Sequence, residues 1–182
     1  MSAFSSLLRG LALAGASVSL SIFCVSSAAA DESEQPPADL PILASGSPIN
    51  EDAEGTTADI NRVQRAEAST YTSLTWTLTN GSTGNIGITN FSNKVYRYNA
   101  KTKTAISGVS LIDEKSETRY YPLKDSNNIC LCSGTGRGPK FHDSVKRGRN
   151  ATYWNAFSIP EDVDTVTIEI PGFKPIKDIK IE

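Results

Sequence analysis

Residues 74–79 read LTWTLT, and residues 80–84 continue as NGSTG. The apolar Leu74, Trp76 and Leu78 alternate with threonines, so an extended chain has one apolar and one hydroxylated face here. This pattern predicts a β-strand that is buried on one side. Asn and Gly accept the positive φ values of tight connections, so the residues that follow predict a turn.

The same period of two recurs through residues 61–182. Val166, Ile168 and Ile170 alternate with polar residues. In 151–159 one face of an extended chain carries Tyr153, Phe157 and Ile159, and the other carries Thr152, Trp154 and Ser158. No stretch keeps the 3.6-residue apolar repeat of an amphipathic helix. The pattern predicts further strands at 63–67, 85–89, 94–98, 104–112, 118–123, 151–159, 165–170 and 176–181.

The spacing of these segments indicates the fold class. Short strands at intervals of roughly 8 to 12 residues, separated by Gly, Pro, Asn and Asp, are typical of all-β domains. We therefore predict an immunoglobulin-like antiparallel β-sandwich of about seven to nine strands, with one closed sheet as the alternative. We also expect Phe173, in the corner PGFKP at 171–175, to close one end of the core.

The composition limits the possible functions. Of the 182 residues, 38% are hydrophobic and 21% are charged, which is typical of globular proteins and not of collagen-like, wholly disordered or multi-span membrane chains. One His, one Met and three Cys offer few groups for metal or acid–base chemistry. His142, Asp143 and Ser144 are adjacent, but a catalytic triad is recognised by spatial geometry rather than by adjacency. We expect no catalytic residues, no cofactor and no enzymatic activity.

The first thirty residues have the features of a secretory signal peptide. Arg9 precedes an apolar and small-residue run over 10–25, and three alanines end at Ala30. A charged start, a short apolar region and an A-x-A site are typical of an export signal. The run is shorter than the ~20 apolar residues of a membrane span. We predict cleavage after Ala30, which would remove Cys24 and leave a mature form with no membrane span.

Residues 31–60 and 61–182 differ in charge. The first stretch contains eight carboxylates, four prolines and no Lys or Arg, a composition typical of disordered segments. We predict a disordered acidic linker over 31–60 and a folded domain over 61–182. The domain contains 17 basic and 12 acidic residues, a net charge of +5.

Cys130 and Cys132 are separated by one residue. A disulfide between them requires the chain to bend at Leu131, because the Cα atoms must come within ~6.8 Å. Disulfides persist outside the cytoplasm, so we predict a bond that fixes this loop. The alternative is an extracytoplasmic accessory protein for copper or thiol redox chemistry, with His142 completing a soft-metal site.

A basic, glycine-rich segment follows the cysteine pair. Loops on a rigid scaffold are common binding sites, and clustered cations attract anionic partners. The alternative is a charged hairpin that keeps a sheet edge from pairing. The candidate binding residues are Arg137, Lys140, His142, Lys146, Arg147 and Arg149.

Several motifs carry a family resemblance: LTN at 78–80, GVSLID at 108–113, RYYPL at 119–123, Asp125 with CLCS at 130–133, and IPGFKP at 170–175. Residues 61–182 resemble a group of exported actinobacterial proteins with an immunoglobulin-like domain, and are loosely similar to the secreted mycobacterial immunoprotective antigen fold. The resemblance implies that fold and export, and it implies no active site.

These features together predict a non-catalytic binding or structural module. We expect it to be secreted or associated with the cell envelope and to be a monomer. Its partner would be an envelope or extracellular molecule, of which an anionic one suits the basic segment, and not nucleic acid. We expect the Cys130–Cys132 loop and the basic segment to mediate recognition at one end of the sandwich.

Overall fold

The computed structural model describes residues 40–49, 53–92, 105–135 and 141–182. These residues form an all-β structure whose paired strands are antiparallel. Within them, the helical element is one 3-10 turn at Ile88–Phe91. The strands of this part of the chain are β1 (Ala44–Gly46), β2 (Thr56–Arg65), β3 (Tyr71–Asn80), β4 (Ile86–Gly87), β5 (Ser110–Asp113), β6 (Thr118–Tyr120), β7 (Ser144–Val145), β8 (Asn150–Ser158), β9 (Thr165–Glu169) and β10 (Ile176–Lys180).

The first sheet has the order β1-β2-β3-β8. Its central strand β3 contains LTWTLT, and the predicted alternation is confirmed. Trp76 lies opposite Ile60 on β2 and Tyr153 on β8, and all three side chains are buried. On the other face Thr77 lies opposite Thr152, and their hydroxyl oxygens are 3.0 Å apart.

The second sheet has the order β10-β9-β5-β6, and β4 pairs with β7 in a separate two-stranded ribbon. Ile168 on β9 lies opposite Leu111 on β5. Both are fully buried, as expected for alternation on a strand with one apolar face. The predictions for 165–170 and 176–181 are confirmed to within one residue.

Side chains from both sheets form one hydrophobic core. The ring of Trp76 contacts those of Tyr153 and Phe91, with centroids 5.2 and 5.8 Å apart. Phe173 stacks on Phe91 at 6.2 Å and is buried. Phe173 is thus part of the core, and aromatic contacts of this kind add to the burial energy.

The chain before β2 bonds to both sheets. Strand β1 pairs with β2, and the Ile49 amide then donates to the Gly172 carbonyl at 2.9 Å, while the Lys174 amide donates to the Ser47 carbonyl at 2.9 Å. The prediction of a disordered linker is therefore wrong over 44–46 and 56–60, because backbone hydrogen bonds to a sheet edge order this acidic, proline-containing stretch.

Other predicted strands differ from the structure. The stretch 85–89 contains only the two-residue strand β4 before the 3-10 turn, and 104–112 contributes only β5. The predicted strand 94–98 lies outside the described residues. Among the described residues the strands form two four-stranded open sheets and a two-stranded ribbon, and not one closed sheet.

No helix within the described ranges combines the length and apolar character needed to span a membrane. Residues 1–39 lie outside those ranges. The signal peptide, its cleavage after Ala30 and the fate of Cys24 therefore stay predictions.

Candidate functional site

The basic residues after the cysteine pair lie partly on one exposed turn. Lys146, Arg147 and Arg149 occupy the turn between β7 and β8, and all three are exposed. We call residues 146–149 the basic turn. Arg137 and Lys140 lie outside the described residues.

A buried asparagine fixes the basic turn. The side-chain amide of Asn80, at the end of β3, donates to the carbonyls of Gly84 and Val145, each at 2.8 Å. The backbone N–H of Asn80 donates to the Arg149 carbonyl at 2.9 Å, and the backbone N–H of Gly148 donates to the backbone carbonyl of Asn80 at 2.7 Å. Buried polar groups cost free energy unless they are paired, so these bonds tie the turn to the first sheet.

A left-handed glycine closes the basic turn. Gly148 has a φ of 69°, and the Arg149 amide donates to the Lys146 carbonyl at 3.0 Å. A side chain at Gly148 would be strained in this conformation. The backbone from which the three cations extend therefore has a defined geometry.

The cations of the basic turn are not neutralised in the described part of the chain. The ion pair found there joins Arg119 to Glu169, so Lys146, Arg147 and Arg149 have no acidic partner among those residues. Their positive field is open to solvent, and salt screens it over about 8 Å at physiological ionic strength.

His142 lies before β7 and is half-buried. Its carbonyl accepts a hydrogen bond from the Tyr153 hydroxyl at 3.2 Å. Burial, with a smaller contribution from Asp143, raises the pKa of Tyr153 well above its usual range. Tyr153 therefore stays protonated and acts as a donor that holds residue 142 against β8.

The cysteine pair is not at an exposed loop end. The sulfur atoms of Cys130 and Cys132 are 2.10 Å apart and the Cα atoms 5.4 Å apart, so the predicted pairing agrees with the structure. Both residues are fully buried, next to Ala105. Cys132 forms an isolated β-bridge with Asn155 in β8, and the expectation that this segment takes part in recognition stays a prediction.

The backbone around the cysteines continues the first sheet beyond β8. The Ala156 amide donates to the Leu131 carbonyl at 2.9 Å, and the Leu131 amide donates to the Leu123 carbonyl at 2.7 Å. The Ser133 hydroxyl also accepts from the Trp154 amide at 2.8 Å. These bonds place the disulfide over the outer edge of β8.

The bond between the cysteines removes the thiolates that the copper and redox hypothesis requires. A disulfide offers no thiolate ligand, and soft metals such as Cu(I) bind thiolates. Within the described residues no three His, Cys, Asp or Glu side chains are grouped as metal ligands. The hypothesis therefore stays a prediction that requires the reduced protein.

A cleft of about 770 Å³ was not predicted from the sequence. Strand and loop residues line it, among them Phe91, Ile170 and Phe173. Ligand sites typically have volumes of roughly 300 to 1,000 Å³. We call this cavity the end cleft.

Polar side chains also line the end cleft, and we call them the polar wall. Arg119 on β6 forms a two-pronged ion pair with Glu169 on β9, and its Nη1 also donates to Ser110 Oγ on β5 at 2.8 Å. Alternation along β9 places Glu169 on the polar face. The sequence gives no signal that joins three residues from three strands, because their contact depends on strand order.

Comparison with protein-family models, curated proteins and solved structures finds no match to this chain.

Proposed function

We propose that this chain is an exported, non-catalytic binding module that attaches to an anionic polymer of the cell envelope through the basic turn. The observation that carries the proposal is the group of three exposed cations on a turn fixed by Asn80 and Gly148. A preorganised site loses less conformational entropy on binding than a mobile one. Phosphate-bearing wall polymers and acidic glycans have the required charge.

The chemistry of the side chains favours oxyanions. Arg147 and Arg149 carry planar guanidinium groups that can bind phosphate or carboxylate through two parallel hydrogen bonds. Lys146 adds a compact charge beside them. Residues 31–182 contain 17 basic and 20 acidic residues, so attraction to a polyanion must come from the local field of the basic turn and not from the net charge of the chain.

We further propose that the two sheets form an immunoglobulin-like sandwich, and that the chain acts outside the cytoplasm as a monomer. The shared core of two antiparallel sheets supports the architecture. The predicted signal peptide and the Cys130–Cys132 bond support export, because disulfides persist in oxidising compartments.

The test is binding of the mature chain, residues 31–182, to inorganic polyphosphate by isothermal titration at several salt concentrations. We expect affinity to fall as salt rises. A triple variant, Lys146→Gln with Arg147→Gln and Arg149→Gln, should lose most of the binding. The matched control changes the same charge elsewhere, at the exposed Lys174, Lys177 and Lys180, and should retain it.

Two outcomes would contradict the proposal. If neither form binds polyphosphate, the basic turn is not a polyanion site. If the control variant weakens binding as much as the basic-turn variant, the interaction follows net charge and the turn has no special role.

A further inference from the structure

We infer that the end cleft is a second binding site, separate from the basic turn, and that its ligand is a neutral saccharide. Nothing in the proposed polyanion binding uses this cavity. Its two walls differ in chemistry, and that difference limits the class of ligand.

The polar wall is charge-balanced. The Arg119 guanidinium and the Glu169 carboxylate neutralise each other, with side chains 40% and 34% exposed. An anionic ligand would have to compete with Glu169 for Arg119, and a cationic ligand would have to compete with Arg119 for Glu169. The pair therefore favours a ligand without net charge.

Within the described residues the polar wall keeps spare hydrogen-bonding capacity. Arg119 has five N–H groups, and the described part of the chain uses three, two toward Glu169 and one toward Ser110 Oγ. In that part of the chain each oxygen of Glu169 accepts one of these bonds, although a carboxylate can accept about four. Donors and acceptors thus lie side by side. A sugar hydroxyl both donates and accepts, so adjacent hydroxyls match this wall.

Another part of the lining is apolar. Phe91, Ile170 and Phe173 are almost fully buried there, and the apolar carbon that reaches solvent comes from Ile49, Pro171 and Pro175. A pyranose ring has an apolar C–H face opposite its polar edge. It can cover this aliphatic carbon while its hydroxyls bond to Arg119 and Glu169. A purely apolar ligand would bury the remaining N–H groups and carboxylate lone pairs of the polar wall without partners, which costs free energy.

A close backbone approach sets the shape of the cleft. The Gly108 amide donates to the Phe91 carbonyl at 2.7 Å, and a Cβ atom at Gly108 would lie 2.5 Å from the Phe91 carbonyl oxygen and 2.8 Å from Pro171 Cγ. Only glycine fits this contact. The cleft wall is therefore held by the fold.

The experiment uses the mature chain, residues 31–182, and follows the amide signals of Gly108 and Gly172 by NMR. The probes are neutral trisaccharides of glucose, mannose, galactose and N-acetylglucosamine, a trisaccharide of glucuronic acid, and decanoate. We expect at least one neutral trisaccharide to shift both signals. Glu169→Gln and Arg119→Gln should each weaken that binding about tenfold, the effect of losing one charge-assisted hydrogen bond.

Two further variants separate binding from folding. Glu114→Gln changes a carboxylate that accepts from Thr167 Oγ1 and does not line the cleft, so it should leave binding unchanged. Asn90→Trp should block the cleft without touching the ion pair, because Asn90 is an exposed lining residue. Triple substitution of the basic turn should also leave saccharide binding unchanged.

Three results would overturn the inference. One is that none of the neutral trisaccharides binds. Another is that glucuronate or decanoate binds more tightly than all of them. The third is saccharide binding that persists in Glu169→Gln, Arg119→Gln and Asn90→Trp.

Discussion

The indole nitrogen of Trp76 donates a hydrogen bond to the side-chain oxygen of Asn155, 3.3 Å away in the buried layer of the first sheet. The amide nitrogen of Asn155 donates in turn to the Ile106 carbonyl at 2.5 Å. Asn155 also pairs through its backbone with Cys132. One buried side chain thus connects the central strand, the segment before β5 and the disulfide.

Replacing Asn155 by leucine should destabilise the protein strongly. Asn155→Leu has a similar volume but leaves the Trp76 indole N–H and the Ile106 carbonyl buried without partners, at about 1 to 3 kcal/mol each. Urea unfolding followed by tryptophan fluorescence measures the loss. Asn85→Leu, at an exposed position, should change stability by less than about 0.5 kcal/mol. Equal effects from both variants would contradict the role of Asn155.

Arg65 joins the end of β2 to the turn after β8. Its guanidinium donates to the carbonyls of Pro160, Glu161 and Val163 at 2.9, 3.1 and 2.6 Å. Arg65→Met keeps the aliphatic stem and removes these bonds, so we expect a loss of about 2 to 3 kcal/mol. Arg62→Met, on the same strand but exposed, is the matched control. Thermal unfolding of both variants tests the prediction, and an Arg65→Met variant as stable as the wild type would refute it.

The disulfide should be inaccessible in the native protein. Cys130 and Cys132 are bonded and fully buried, so alkylation without reduction should add no mass to a chain of residues 31–182, which lacks Cys24. Reduction in denaturant should then allow two alkyl groups to add. Two adducts on the native, unreduced protein would contradict the bond and would favour the copper and thiol hypothesis.

How far sequence alone could predict this fold depends on where the backbone hydrogen bonds go. The alternation in β3 and β9 was sufficient because each strand is buried on one side. The strand prediction for 104–112 was wrong over most of its length. Ile106 is buried, but its backbone N–H donates to the Ser133 carbonyl and its carbonyl accepts from the side chain of Asn155. These bonds take the place of pairing with a neighbouring strand, and the local sequence pattern does not predict them.

The same reasoning explains the missed N-terminal strands. In β2, Ala58 and Ile60 are buried while Asp59 faces outward and accepts from Ser45 Oγ at 2.6 Å. The alternation is present, but it is short and lies among acids and prolines that indicate disorder. The end cleft could not be predicted for another reason. Arg119 on β6 and Glu169 on β9 bond to each other across β5, and this contact depends on the order of the strands in the sheet.

Asp113 should make stability depend on acid pH. The hydrogen bond from the Ser116 hydroxyl, at 2.6 Å, and that from the Lys115 amide, at 3.0 Å, hold the pKa of Asp113 below its usual value. A lowered folded-state pKa stabilises the protein above the unfolded pKa of about 3.9. This stabilisation disappears as pH falls through the lower, folded value.

Ser116→Ala isolates that effect. Removing the largest contributor should raise the pKa of Asp113 toward its ordinary value, so the variant should lose stability relative to wild type above pH ~4 and converge with it at lower pH. Urea unfolding between pH 2 and 7 measures this, with Ser69→Ala as a control in another turn. A stability difference independent of pH would show that Ser116 acts by packing and not through the carboxylate.

Asn80 gives the sharpest test of how the fold supports binding. Asn80→Asp removes both amide donors and places a carboxylate against the carbonyls of Gly84 and Val145, so it should destabilise the protein by about 2 to 4 kcal/mol. It should also weaken polyphosphate binding more than the single added charge explains, because the basic turn is no longer fixed. The charge-matched control is Thr79→Asp, one residue earlier on the outer face of β3. If both variants bind polyphosphate equally while Asn80→Asp is still folded, the geometry of the turn is irrelevant and only its charge matters.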